Sequence, residues 1–280
     1  MKSSIKTILK YLLLFISSIL VIIVTLVTTL RFTLLNSDYV KNEFEKNNYY
    51  KKLTAEIKTE MSYYTNQSGF TDDVLDNIFT ETDVSYDFNR YINSLYTGDE
   101  FTVDTQKIEN NLNKNINAQL KGSSFKVTNT EEIKKFVNQM TTIYEKEIKL
   151  MGYVDSAKNL VFKIVSMCDK ALFVLIVGLL LNISIYLKLF KTKDLSVMFY
   201  TSSFLLLFFI LYFKNSIDIN NISIYSKLVS KIIKELINSF LNIICISSAS
   251  LFGLGFIIDL LRKERRRRRH HHHRSLSEEI

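Results

Sequence analysis

Six carboxylates fall within sixteen residues, Asp72, Asp73, Asp76, Glu81, Asp83 and Asp87, the densest set of chemically capable side chains in this 280-residue chain. Oxygen ligands so crowded can hold a calcium ion, but their spacing matches no EF-hand loop and lacks the glycine of its sharp turn. Acidic residues that favour helix N-termini on a solvated surface explain the same pattern, so the expectation is no bound metal. Acid and base work by a pair of them would need a cleft or a perturbed environment, and neither is visible from the residues.

Histidine is confined to one run, His270 to His273. The body of the chain therefore has no means of building a Ser-His-Asp triad, a Cys-His dyad or a zinc site with histidine ligands. The run itself could coordinate a metal or be an artificial addition. Cys168 and Cys245 are the two cysteines, and both lie at or inside apolar segments, which excludes a disulfide-stapled secreted scaffold. Asp155, Asp169 and Cys168 are the few groups left for an enzyme at a membrane surface. The expectation is a protein that is not an enzyme and uses no cofactor.

The elements that carry these residues are rich in apolar sequence. Hydrophobic residues make up 47% of the chain, and its mean hydropathy of +0.09 is high for a chain that is also 23% charged. Proline is absent while Lys, Asn, Ile, Phe and Tyr abound, the codon bias of an AT-rich genome such as that of a low-GC Gram-positive bacterium. Tyr11 to Leu30 is a run of twenty residues without a charge. At about 1.5 Å per residue it covers a hydrocarbon core of about 30 Å. Lys2, Lys6 and Lys10 before it would also suit a signal peptide, but the apolar part is too long and no small-x-small cleavage site follows, so an uncleaved anchor is expected. Ala171 to Leu187, Leu195 to Phe213 and Leu236 to Ile258 are three further uncharged stretches close to the length of one crossing.

Orientation follows from the basic residues beside the spans, because these resist translocation. Three lysines precede the first span, Lys188, Lys191 and Lys193 fill the connection between the second and third, and eight basic residues from Arg262 to Arg274 follow the fourth. With four spans these groups share one side, which places both termini in the cytoplasm of a cell membrane and residues 32–168 outside it. Residues 32–170 carry 17 basic and 21 acidic residues, in keeping with that side. The loop Lys214 to Glu235 is less in keeping, with four lysines and two acids. Its pattern places Tyr225, Leu228, Val229, Ile232, Ile233 and Leu236 on one helical face and Lys227, Ser230, Lys231 and Lys234 on the other. An amphipathic helix near 222–236 would lie on the membrane with its lysines on anionic headgroups, or pack against the outer domain.

The expected fold is all-α: four transmembrane helices, with an extracytoplasmic helical bundle between spans one and two. Its parts are a cytoplasmic N-terminus and first span (1–31), the outer domain (32–168), spans two to four (169–261) and a basic cytoplasmic tail (262–280). In the outer domain, apolar residues recur at three and four. One helix should run from Asn36 or Ser37, with Ser37 as N-cap, to about Tyr64, burying Val40, Phe44, Leu53, Ile57, Met61 and Tyr64. A short helix after Thr71 carries Val74, Leu75, Ile78 and Phe79, and another runs from about Asp83 to Tyr96 and ends at Gly98. Thr105 to Leu120 repeats Ile108, Leu112, Ile116 and Leu120, with asparagines on its polar side. A last helix opens with a Thr128–Glu131 capping box and leads toward span two, with Gly152 as a weak point. Eighteen Phe and Tyr between Tyr39 and Phe162 can supply the core.

In span four, Ala249 and Gly253 are spaced as small-xxx-small and predict a packing surface for another helix, in the chain or in a second copy. Asp259 should pair with Arg262 and Lys263 at the end of this span. Arg265, Arg266, Arg267, Arg268 and Arg269 form the densest basic run, expected to fix topology at an anionic lipid surface rather than to bind nucleic acid. The function that follows is a membrane protein whose outer domain binds a membrane or cell-envelope partner as scaffold, interaction module or sensor. The alternative is a homo-oligomeric channel or transport component capped by the outer domain.

Overall fold

The computed structural model describes residues 3–122, 130–152, 154–190, 194–216, 218, 221 and 227–278, with the backbone alone at residues 3, 122, 151, 155–157 and 265–278. Every regular element among the described residues is helical. Four helices, α1 (Ser3–Phe32), α7 (Asp155–Phe190), α8 (Leu195–Ser216) and α9 (Lys227–Glu278), contain stretches long and apolar enough to cross a membrane. Between α1 and α7 come α2 (Ser37–Lys46), α3 (Tyr49–Ser68), α4 (Glu81–Thr97), α5 (Gln106–Gly122) and α6 (Thr130–Ile148). Two compact units result: an apolar one of residues 1–34, 166–222 and 234–280, and a hydrophilic one of residues 35–165 and 223–233.

The hydrophilic unit is organised around α3, which contacts α2, α4 and α6. Leu53, Ile57 and Met61 on α3 are fully buried, four residues apart, as a helix with one inward stripe requires. The single helix expected over 37–64 is in fact two. Asn48 takes the left-handed conformation (φ 53°), which asparagine tolerates better than most residues. The Asn47 amide donates to the Glu43 carbonyl at 3.0 Å and closes off α2. The N-cap of α2 is Asn36, not Ser37, its Oδ1 accepting from the amides of Asp38 and Tyr39 at 2.9 and 3.2 Å. Tyr64 is half-buried where full burial is expected.

Aromatic rings fill the core in edge-on and tilted pairs, among them Phe44 with Tyr49 and Phe88, and Phe79 with Tyr144. The 3-10 turn Asp72–Leu75 makes two short-range backbone bonds of its own, Val74 to Thr71 and Asp76 to Asp73, and the extended residues after it have no helical ladder. The amide side chains of α5 supply the remaining bonds. Asn115 Nδ2 donates to the carbonyls of Val74 (3.1 Å) and Asp76 (2.8 Å), Asn111 to those of Asn77 and Ile78, and Gln119 to the Thr71 hydroxyl. The asparagines of α5 thus pin a neighbouring backbone as well as facing water. Thr80 and Asp83 form a capping box at the start of α4, and Gly98 ends it in the left-handed conformation (φ 79°). The Thr128 half of the box expected for α6 lies outside the described residues. A second 3-10 turn, Leu150–Gly152, separates α6 from α7, with Gly152 at φ 76°.

From Lys227 on, the segment expected as a separate amphipathic helix is the opening of α9, continuous with the fourth apolar stretch. Tyr225 lies outside the described residues. Val229 and Ile232 are buried and Lys227 and Lys231 exposed, but Ser230, expected beside the lysines, is buried as well.

In the apolar unit α1 packs on α8, and serines set the approach. Ser18 Oγ donates to its own helix at Leu14 and reaches the Met198 carbonyl at 3.3 Å, while Ser202 Oγ returns to the Ser18 carbonyl at 3.1 Å. The Ser203 and Ser248 hydroxyls meet at 3.0 Å between α8 and α9. Such small polar side chains let helices approach closely and bond to each other where no water competes.

Asn115→Ala removes two bonds to backbone carbonyls, one of them part-buried, and should lower stability by about 1–3 kcal/mol. Asn113→Ala, at an exposed position of the same helix, should stay within about 0.5 kcal/mol of the parent. Thermal unfolding of the full chain in detergent, followed by circular dichroism, checks both.

Candidate functional site

The acidic run does not converge. Asp72 accepts from the Ser62 hydroxyl at 2.7 Å and Asp73 from that of Thr71 at 2.9 Å. Asp83 serves the capping box and pairs with Lys107 Nζ at 2.7 Å. Asp87 points inward, 8% exposed, and accepts from the Tyr144 hydroxyl at 2.9 Å. Among the described residues no three His, Cys, Asp or Glu side chains gather as metal ligands would. Burial pushes the Asp87 carboxyl above its usual range, against the bond from Tyr144 and the charge of Arg90. The Tyr144 phenol is pushed up as well, by its own burial and then by the neighbouring Asp87 charge.

The surface feature that stands out in the hydrophilic unit is a groove along α3. One part, of about 530 Å³, is lined by Ala55, Glu56, Thr59, Glu60, Tyr63 and Tyr64. A second part shares Ala55 and Glu56 and extends to Lys52, Lys227 and Leu228. The α-helical period turns Ala55, Thr59 and Tyr63 away from the stripe of Leu53, Ile57 and Met61, with Glu60 and Tyr64 at that stripe's border, so the same helix that anchors the core presents the groove. Tyr63 is 63% exposed, its ring edge-on to Tyr64. An exposed tyrosine beside two carboxylates can bury a partner's apolar surface and meet its cations. Nothing in the sequence marks this face, because Tyr63 falls off the period of the apolar residues.

In the apolar unit, ion pairs gather at both ends of α1. Arg31 donates to Asp169 of α7 through Nε (2.6 Å) and Nη2 (3.4 Å). Lys10 pairs with Asp194, which also accepts from Arg262 of α9 at 3.3 Å. The Lys10 ammonium bonded to it, helped by Arg262, holds the Asp194 carboxyl below the usual range. Asp194 adopts φ 63° just before α8, a left-handed position that aspartate tolerates. The pairing expected between Asp259 and Arg262 does not form. Asp259 accepts from the hydroxyls of Ser196 (2.7 Å) and Tyr200 (3.2 Å), and Arg262 reaches across to Asp194. Asp194 was legible only as the lone acid closing a lysine-rich connection.

Ala249 is exposed and a Cβ added to Gly253 would meet nothing, so neither takes part in packing within the described chain. The within-chain contact of α9 uses Ser248 and Gly255 instead, and a Cβ on Gly255 would come to 2.9 Å from the Tyr200 ring. Arg265 to Arg269 and His270 to His273 lie on the helical backbone of α9, and their side chains are outside the described residues. Compared with known proteins, the chain matches no family model, no curated protein and no solved structure.

A raised carboxyl such as Asp87 favours the neutral form in the fold, so its contribution to stability falls as pH rises from the unfolded value of 3.8 through the folded one. Asp87→Asn keeps an acceptor for Tyr144 and removes the buried charge. The variant should therefore match or exceed the parent's melting temperature at pH 7, and that advantage should vanish below about pH 3.5. Paired melts across pH check the sign, and a variant clearly less stable at pH 7 would contradict it.

Proposed function

We propose that this chain is a non-catalytic multi-pass membrane protein that holds both termini in the cytoplasm and offers its helical domain outside the cell membrane to a protein of the membrane or cell envelope. The α3 groove carries this reading. It combines exposed aromatic surface with Glu56 and Glu60, so the fitting partner presents lysine or arginine beside an apolar edge. The buried serines of the apolar unit support the same reading over a transport role, because Ser18, Ser202, Ser203 and Ser248 direct their hydroxyls to neighbouring helices. Lysines beside the spans and the arginine-rich end of α9 fit a cytoplasmic leaflet of anionic lipid, which they would contact without base-specific or nucleic-acid chemistry.

A photo-crosslinking residue at the exposed position Thr59, used in native membranes, should capture one recurrent envelope or membrane protein. Tyr63→Ala, and separately the charge reversal Glu56→Lys with Glu60→Lys, should each lower that capture by about tenfold or more, the loss of one central contact. The same crosslinker at Lys114 on α5 should not capture it. Equal capture from both positions, or capture unchanged by the substitutions, would contradict the proposal.

A further inference from the structure

The long apolar stretch of α9 contains two asparagines that the chain itself leaves unused. Asn238 and Asn242 are exposed, and neither amide has a hydrogen-bond partner among the described residues. Asn242 lies six residues inside the uncharged stretch that begins at Leu236, about 9 Å along the helix and within the depth of hydrocarbon. At that depth water does not satisfy an amide, and lipid tails offer it neither donor nor acceptor. The asparagines do not stand alone on their face. Asn238, Asn242, Cys245, Ala249, Gly253 and Phe256 follow at spacings of four, three, four, four and three, a seam of the kind two helices share when they wind around each other. At about 100° per residue this seam lies roughly a third of a turn around α9 from the face of Leu241, Ile244, Ser248 and Gly255 that packs within the chain.

We propose that α9 is a self-association helix, and that a second copy of this chain docks in parallel on the Asn242 seam. A carboxamide is both donor and acceptor, so two copies related by a two-fold axis satisfy each other's Asn242 with no other chemistry required. Parallel packing follows because both copies cross the bilayer in the same direction. Ala249 and Gly253 then let the backbones approach where the seam continues, which is the use that the open space over Gly253 leaves available. One buried asparagine in such a seam also favours a pair of helices over larger assemblies. The inference rests on α9 crossing the bilayer and not on the α3 groove, so either can fail alone.

Cys245 sits on the seam and provides the test. The full-length Cys168→Ser chain, reconstituted in phosphatidylcholine and phosphatidylglycerol vesicles and treated with copper phenanthroline, should form a disulfide-linked homodimer. Cys245→Ser should abolish it. Asn242→Leu, which raises the apolarity of the span and so does not threaten insertion, should weaken association by about threefold to thirtyfold in a lipid-dilution series. Leu254→Ala, at an exposed position on the side of α9 away from the seam, should leave it unchanged. The proposal is overturned if no dimer forms, if Asn242→Leu dimerises as the parent does, or if in native membranes Cys245 links only to a different protein.

Discussion

Charge is kept out of a slab whose thickness is written along α1. Lys10 and Arg31 are separated by an uncharged run, and the distance between them along the helix is about 31 Å, close to that of a bilayer's hydrocarbon core. Each of the two is paired, Lys10 to Asp194 and Arg31 to Asp169, so α1 is tied at one level to the connection before α8 and at the other to α7. Partly exposed pairs like these contribute little net stability, about 0–1 kcal/mol. Their effect is register: α1 cannot slide by a turn without leaving a charge in apolar surroundings. The serine contacts between α1 and α8 and between α8 and α9 lie between these two levels, where a slide would break them as well.

The hydrophilic unit answers a different constraint. A connection such as residues 71–80 has carbonyls that no helix of its own satisfies, and leaving them unpaired beside a core would be costly. The asparagines at a one-turn interval on α5 meet that need while Ile108, Leu112 and Ile116, on the adjacent stripe of the same helix, enter the core. With that segment held, α4 starts at a fixed place, and its Phe88 meets the rings of Phe44 on α2 and of Tyr49 and Tyr50 on α3. One consequence is that α3 has its inward stripe fully occupied and its outward stripe free, which is what makes its groove available to a partner on the proposed function.

Much of this is legible in the residues alone, for a physical reason. The helical class and the four apolar stretches depend on spacing along one dimension, and the buried stripe of Leu53, Ile57 and Met61 depends only on the helical period. What is not legible depends on choices between near neighbours. Asn47 and Asn48 are compatible with a continuing helix until the left-handed turn is seen, and Asn36 and Ser37 are both good caps. Arg262 has an acid three residues before it, yet pairs with Asp194, which is far away in sequence. In span four a displacement of one residue rotates the helix face by about 100°. The small pair Ala249 and Gly253 therefore points elsewhere than Ser248 and Gly255, which the chain uses itself. The groove at Tyr63 and Glu56 has no periodic signature at all, because a binding face is defined by what surrounds it in three dimensions.

On the proposed topology the hydrophilic unit faces away from the cytoplasm while both termini stay inside, and sidedness can be read directly. A single cysteine at the exposed position Lys114, in a chain with Cys168→Ser and Cys245→Ser, can be reacted with a membrane-impermeant maleimide in intact cells whose outer wall has been made permeable to it. That topology requires full labelling without breaking the cell membrane. Labelling that appears only after lysis would contradict it.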